Sequence, residues 1–314
     1  MVSLLNSILQ FGLRHFGNLN PIKNPGFVEQ VIKGRSKPVT HANKKGYILE
    51  LKETANKSKY IILKKDNNVE AKKVVYYMHG GAYFMRMINF YENFCYRYCD
   101  LRDDVEVVLL DYSLAPENKY PTQLNEALDV WNELNKTFKP EDIIVGGDSS
   151  GGNLSLALTL KLQKEMNVAP KAGFFFSPDT DFTFSGKSFF DNYGKDIMVG
   201  EYNGTLTEEK LEKIKNAEIY TGILGDADRT DPYVSPLFGD YTIFPRSIFV
   251  VGGNEMTLDD TLRVVDKIKA NGNEVELINK EGMFHVYSIN GSFTSEGKEA
   301  NAAVEKFIVE SFEK

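Results

Sequence analysis

The chain has 314 residues, 42% hydrophobic and 26% charged, which is long for one domain by the usual prior but within the range of a single α/β sheet with a sizeable core. Basic residues number 37 against 44 acidic ones, a net charge of −7 with no basic run, which makes nucleic acid and anionic membrane poor partners. Two cysteines are too few for a disulfide-built scaffold; Cys95 and Cys99 stand i, i+4 and read as two small buried hydrophobes on one helical face rather than a redox or metal pair.

The N-terminal MVSLLNSILQFGLRHF lacks a basic n-region and a small-residue cleavage site, so it does not read as a signal peptide, and the expected location is the cytoplasm. No stretch approaches the ~18 consecutive apolar residues of a transmembrane segment. Leu4, Leu5, Ile8, Leu9, Leu13 and Phe16 fall at helical spacing and predict an amphipathic helix packed on the protein itself, with membrane-surface attachment as the alternative. From about residue 46, short β-rich runs alternate with longer helical ones. Strands are expected at Tyr47–Leu51, Tyr60–Leu63, Val74–Met78, Val105–Leu110, Ile143–Val145, Gly173–Phe176, Ser247–Val251 and Glu274–Ile278. Helices are expected at Tyr91–Leu101, Pro121–Phe138, Gly151–Met166, Leu258–Ala270 and Gly297–Phe312. Near-continuous apolar strands suit a parallel sheet covered on both faces, and the strand–helix alternation predicts a doubly wound α/β sheet. Residues 183–222 break the rhythm with helical stretches such as Glu208–Ile219. With residues 1–45 they are expected to form a helical cap over a catalytic domain of residues 46–314.

Gly147-Asp148-Ser149-Ser150-Gly151 matches G-x-S-x-G once, between a predicted strand and a predicted helix. That is the context of a nucleophile elbow, in which glycines are needed because a neighbouring Cβ would clash; a plain Gly/Ser turn is the bland alternative. His79-Gly80-Gly81-Ala82 also follows a strand. The amides of Gly80 and Gly81, with that of Ser150, are expected to form an oxyanion hole, and His79 is expected to be structural. A serine nucleophile needs a histidine base. Of four histidines, His15 and His41 precede the sheet and His79 belongs to the oxyanion loop, which leaves His285 in EGMFH after the last strand. The acid should follow strand Ser247–Val251, where Glu255, Asp259 and Asp260 all stand; the two aspartates also suit the first turn of a helix. Tyr83 and Phe84, directly after the oxyanion loop, are expected to bind substrate and limit the acyl chain to about four to six carbons.

HGGAYF at 79–84, DYSLAPE at 111–117, GDSSGGN at 147–153, SPDTD at 177–181, DPYVSPL at 231–237 and EGMFH at 281–285 together resemble the hormone-sensitive-lipase-like branch of α/β-hydrolases, which includes bacterial carboxylesterases and arylacetamide deacetylases. The matches run from about Tyr77 to Val286. The resemblance implies an eight-stranded, mostly parallel sheet with a cap built from the N-terminus and an insertion after the sixth strand. It implies a serine carboxylesterase acting on a short- to medium-chain, small-molecule ester without metal or other cofactor, and it admits a homodimer through the last strand. It places the acid at Glu255, which also falls just past the strand end. Two departures stand out: Ala82 where many members have glycine, and Glu255 where most have aspartate. Amide or lactone hydrolysis on the same fold is the nearest alternative. A non-catalytic, receptor-like binding protein is the second, but such members lose the histidine that this chain keeps.

Overall fold

The structure, a computed structural model, describes residues 2–16 and 19–314, with the side chains of His15 and Phe16 outside the described set. Its centre is a sheet of β1 (Tyr47–Glu53), β2 (Lys59–Lys65), β3 (Lys73–Met78), β4 (Val105–Asp111), β5 (Ile143–Asp148), β6 (Ala172–Phe176), β7 (Ser247–Gly252) and β8 (Val275–Lys280). The strand order is β1-β2-β4-β3-β5-β6-β7-β8. Strand β2 runs antiparallel to β1 and β4, and every other neighbouring pair is parallel. All eight expected strands are present, with ends shifted by at most three residues. Their apolar runs have the predicted cause: β5, β6 and β7 are buried at every position, covered on both faces.

The helices are α1 (Leu4–Phe16), α2 (Phe27–Gly34), α3 (Asn89–Cys99), α4 (Thr122–Leu134), α5 (Ser150–Lys161), α6 (Ser188–Asp191), α7 (Glu208–Lys215), α8 (Glu218–Leu224), α9 (Leu258–Ala270), α10 (Tyr287–Asn290) and α11 (Ser295–Glu313). Helices α3 and α11 cover one face, burying Cys95, Tyr98, Val304 and Phe307 against Val75, Tyr77 and Phe174. Helices α4 and α5 cover the other around Trp131, Leu154 and Tyr76, and α9 extends that layer over Phe249. Helix α5 is buried from Ser150 to Leu160, which is why it lacks an amphipathic pattern. Cys95 and Cys99 are buried free thiols, as expected.

The expected helix Glu208–Ile219 is two helices, α7 and α8, parted at Asn216-Ala217, with Thr207 capping α7 by accepting from the Lys210 amide. The helix expected to reach Met166 leaves α geometry at Leu162, passes through a wider π turn and ends at Asn167 in the left-handed region. Residues Phe184, Phe189, Leu206, Leu211 and Ile214 build a small apolar cluster separate from the sheet's cores. Along α1, Leu9 and Leu13 pack on the α3–α11 core, whereas Leu4, Ile8 and Phe11 are 78%, 61% and 61% exposed. Among the described residues no helix is long and apolar enough to cross a membrane.

Candidate active site

The carboxyl ends of the parallel strands carry the chemistry-bearing loops, and the order reverses across β3, which has β4 on one side and β5 on the other. The turn from β5 into α5 holds Ser149 at φ 52° and ψ −121°, a conformation that L residues seldom adopt. Close packing forces it. A Cβ on Gly151 would lie 2.1 Å from the Met78 carbonyl oxygen, and one on Gly147 would lie 2.5 Å from that same oxygen. The two glycines are thus needed for approach to β3, and the clash expected from the sequence is real.

Ser149 Oγ lies 2.9 Å from His285 Nε2, and His285 Nδ1 lies 2.9 Å from Glu255 Oε2. The other Glu255 oxygen accepts from the Ser177 hydroxyl at 2.7 Å and from the Gly252 amide. Ser177 Oγ in turn accepts the Val286 amide at 3.0 Å. One hydroxyl from the loop after β6 therefore ties the acid's loop to the histidine's loop. Burial opposes protonation of His285, but the hydrogen bond and charge of Glu255, with the charges of Asp179 and Asp196, outweigh it and hold the imidazole above its ordinary value. Asp259 Oδ2 instead accepts the Ser188 amide at 2.9 Å, joining α9 to α6. Asp260 Oδ2 accepts the amides of Thr180 and Asp181 at 2.9 and 3.0 Å. Neither aspartate is hydrogen-bonded to the imidazole.

The oxyanion loop differs from expectation at one position. The Gly80 amide donates to Asp148 Oδ1 at 3.0 Å and is unavailable to a substrate. Gly81 and Ala82 line the cavity beside Ser149, and among the described residues their amides are bonded to nothing else. The Ser150 amide, first in α5, is one of the donors a helix leaves unpaired. Gly81, Ala82 and Ser150 thus replace Gly80, Gly81 and Ser150 as the candidate donors. Ala82 holds φ 53° without the freedom of glycine.

Asp148 fixes that loop from below: Oδ1 also accepts from the Tyr77 hydroxyl at 2.8 Å, and Oδ2 from the Tyr91 hydroxyl at 3.0 Å. Burial pushes its carboxyl up to about 6, against the pull of these donors. His79 is structural, stacked on Tyr112 at 4.2 Å and turned toward the Gly80 carbonyl at 2.8 Å; burial lowers it to about 4, so the ring is neutral.

Tyr83 and Phe84 do not line the cavity. Positive φ at Ala82 and Tyr83 turns the chain back into the protein. Tyr83 donates its hydroxyl to Asn153 Oδ1 at 2.6 Å, and Phe84 is fully buried in the core beside α8. The cavity of about 430 Å³ is walled instead by residues such as Leu19, Phe184, Phe189, Met198, Val199 and Ile219, all from the N-terminal segment and the insertion. Ser177 and Asp179, both in the loop after β6, carry no mark in the sequence beyond their place in the SPDTD motif. The signal that could have found them is position at the end of a central parallel strand.

A family model described as the alpha/beta hydrolase fold matches residues 75–289. The chain belongs to that family. This α/β-hydrolase is 32% identical over 240 residues to an esterase of Acinetobacter venetianus, covering 76% of this chain and 75% of that one. A crystal structure of an esterase/lipase from an uncultured bacterium superposes on this α/β-hydrolase with a TM-score of 0.82 at 26% identity, over 99% of this chain and 100% of that one. An esterase of the bacterial hormone-sensitive lipase family shares the fold, with a TM-score of 0.78 at 24% identity over 98% of each chain.

Proposed function

We propose that this α/β-hydrolase is a serine carboxylesterase of the hormone-sensitive-lipase-like branch, with Ser149 as nucleophile, His285 as general base and Glu255 as the acid that orients it. The observation that carries the reading is the pair of 2.9 Å contacts joining Ser149, His285 and Glu255. Ser149 Oγ attacks the ester carbonyl carbon while its proton passes to His285 Nε2. The amides of Gly81, Ala82 and Ser150 hold the oxyanion. The imidazolium returns its proton to the leaving alkoxide oxygen, releasing the alcohol and leaving an acyl-enzyme. Water, deprotonated by His285, then frees the acid and regenerates Ser149. Residues 1–45 and 183–222 act as the cap, since they supply the apolar far wall of the cavity.

Substrates of short to medium acyl length fit this reading, though for a different reason than bulk at Tyr83 and Phe84: the limit comes from Phe184, Phe189, Met198 and Val199. Across p-nitrophenyl esters from acetate to palmitate, kcat/KM is expected to rise by up to ~0.8 kcal/mol per buried methylene, peak at about four to six carbons and then fall. A rate that climbs all the way to palmitate contradicts the assignment of a closed acyl site.

The raised His285 value sets the pH dependence. Only the neutral imidazole accepts the Ser149 proton, so kcat/KM for p-nitrophenyl butyrate should rise with pH, with its acid-limb midpoint above the ordinary 6.5. Stability runs the opposite way: the imidazolium–carboxylate attraction is fully present below the unfolded value and is lost as pH rises through the folded one. A midpoint at or below 6.5 in the pH–rate profile speaks against the His285–Glu255 coupling.

A further inference from the structure

We infer that Asp179 is a specificity-determining residue that selects esters bearing an ammonium group on the carbon next to the scissile carbonyl; this rests on the esterase reading above. The other buried aspartates in and around the cavity are each held by several donors. Asp148 accepts three donors, Tyr77, Tyr91 and the Gly80 amide. Asp181 faces Arg263 at 3.1 Å and accepts the Thr183 and Ser185 amides. Asp196 accepts the amides of Met198, Val199 and Met256, and Asp260 those of Thr180 and Asp181. Asp179 has none of this. Its carboxylate has a single partner, the Ser149 hydroxyl at 3.3 Å, and among the described residues it forms no ion pair with any lysine or arginine.

A buried carboxylate with one weak donor carries a poorly compensated desolvation cost, and burial indeed pushes its acid strength down. A cation brought by the ligand would cancel that cost. The cavity suits one, because the rings of Phe182, Phe184 and Tyr220 line it together with Asp179, and aromatic faces attract a desolvated ammonium. The reach allows it. A carbonyl carbon poised for attack sits ~3 Å from Ser149 Oγ, which itself lies 3.3 Å from Asp179 Oδ2, so a nitrogen on the adjacent carbon can come within ion-pairing distance when it is turned toward that oxygen.

The pairing also bears on the chemistry. The Ser149 hydroxyl has one hydrogen and two acceptors, His285 Nε2 at 2.9 Å and Asp179 Oδ2 at 3.3 Å. An ammonium that occupies Asp179 removes the competing acceptor and directs the proton to the base. The rival role for Asp179 is support of the His285 imidazolium by charge alone. That role would favour every ester equally, whatever its substituent.

The test compares ethyl alaninate with ethyl isobutyrate, its neutral isostere, by titrating released acid near pH 7, where the α-amino group is largely protonated. The wild type is expected to favour the alaninate in kcat/KM by at least about tenfold, and Asp179→Asn to cut that ratio by at least about tenfold, whatever happens to the neutral ester. A wild-type ratio at or below one, or an equal loss on both esters in Asp179→Asn, overturns the inference. Should Asp179→Asn fail to fold, inhibition of the wild type decides: isopropylammonium must bind at least about tenfold more tightly than isopropanol, and equal inhibition overturns the inference. If the wild type cleaves ethyl isobutyrate but shows no cation preference, only this inference falls. If it cleaves neither these esters nor p-nitrophenyl butyrate, the esterase reading falls and this one with it.

Discussion

Ser149→Ala is expected to lose at least ~10³ in kcat toward p-nitrophenyl butyrate, leaving only what binding and the oxyanion donors contribute. The loss should come without unfolding. Alanine meets the same strain at φ 52° as serine does, and the hydroxyl's partners are the two site residues His285 and Asp179 rather than structural groups. The melting temperature should therefore move little. A fluorophosphonate probe sharpens the result, since it should label Ser149 alone. The neighbouring serines are unsuited: Ser150 Oγ is buried and accepts the Tyr83 amide, and Ser177 Oγ is committed to Glu255 and the Val286 amide. Label on Ser150, or full activity in the variant, ends the assignment.

Glu255→Gln should lower kcat by roughly 10²–10⁴, because an amide cannot favour the imidazolium as a carboxylate does. Both Glu255 oxygens accept hydrogen bonds, from His285 on one side and from Ser177 and Gly252 on the other, so the glutamine NH₂ must face at least one donor. A destabilisation of about 1–3 kcal/mol should accompany the kinetic loss, readable by thermal melting and distinguishable from it by circular dichroism of the folded variant. Asp259→Asn is the control. It disturbs the bond between α9 and the Ser188 amide, so it should shift the melting temperature and leave kcat nearly intact. The reverse pattern, activity lost in Asp259→Asn and kept in Glu255→Gln, would reassign the acid and leave the Ser149–His285 contact standing.

What was legible in the sequence divides along a physical line. Strands such as β4 and β7 carry continuous apolar stretches, Val107–Leu110 and Ile248–Val251, and burial on both faces leaves that mark whatever the rest of the chain does. Ser149 was legible because the turn needs Gly147 and Gly151, a local steric demand, and His285 because few histidines compete. Short helices were not: α6 and α10 span four residues each, too few to show a period. The roles of Gly80 and Gly81 could not be told apart in a run of small residues. The distinction is made by Asp148, 68 residues away, which takes the Gly80 amide. The inward place of Tyr83 and Phe84 is hidden in the sequence for a related reason: adjacency to the loop says nothing of the positive φ values at Ala82 and Tyr83 that turn the chain inward. Asp179 became conspicuous only when its neighbours' hydrogen bonds could be compared with its own.

Asp148 also has a meaning for the robustness of the molecule. A carboxyl raised from 3.8 to about 6 in the folded state costs folding stability at neutral pH, of the order of 3 kcal/mol relative to the same carboxyl at its ordinary value. That is a sizeable share of the margin by which an ordinary domain stays folded. The return is a rigid brace: one ionised side chain grips the Gly80 amide and two tyrosine hydroxyls, holding the loop after β3 to the elbow after β5. Position 148 thus sets a cost in folding stability against a fixed geometry at the candidate site.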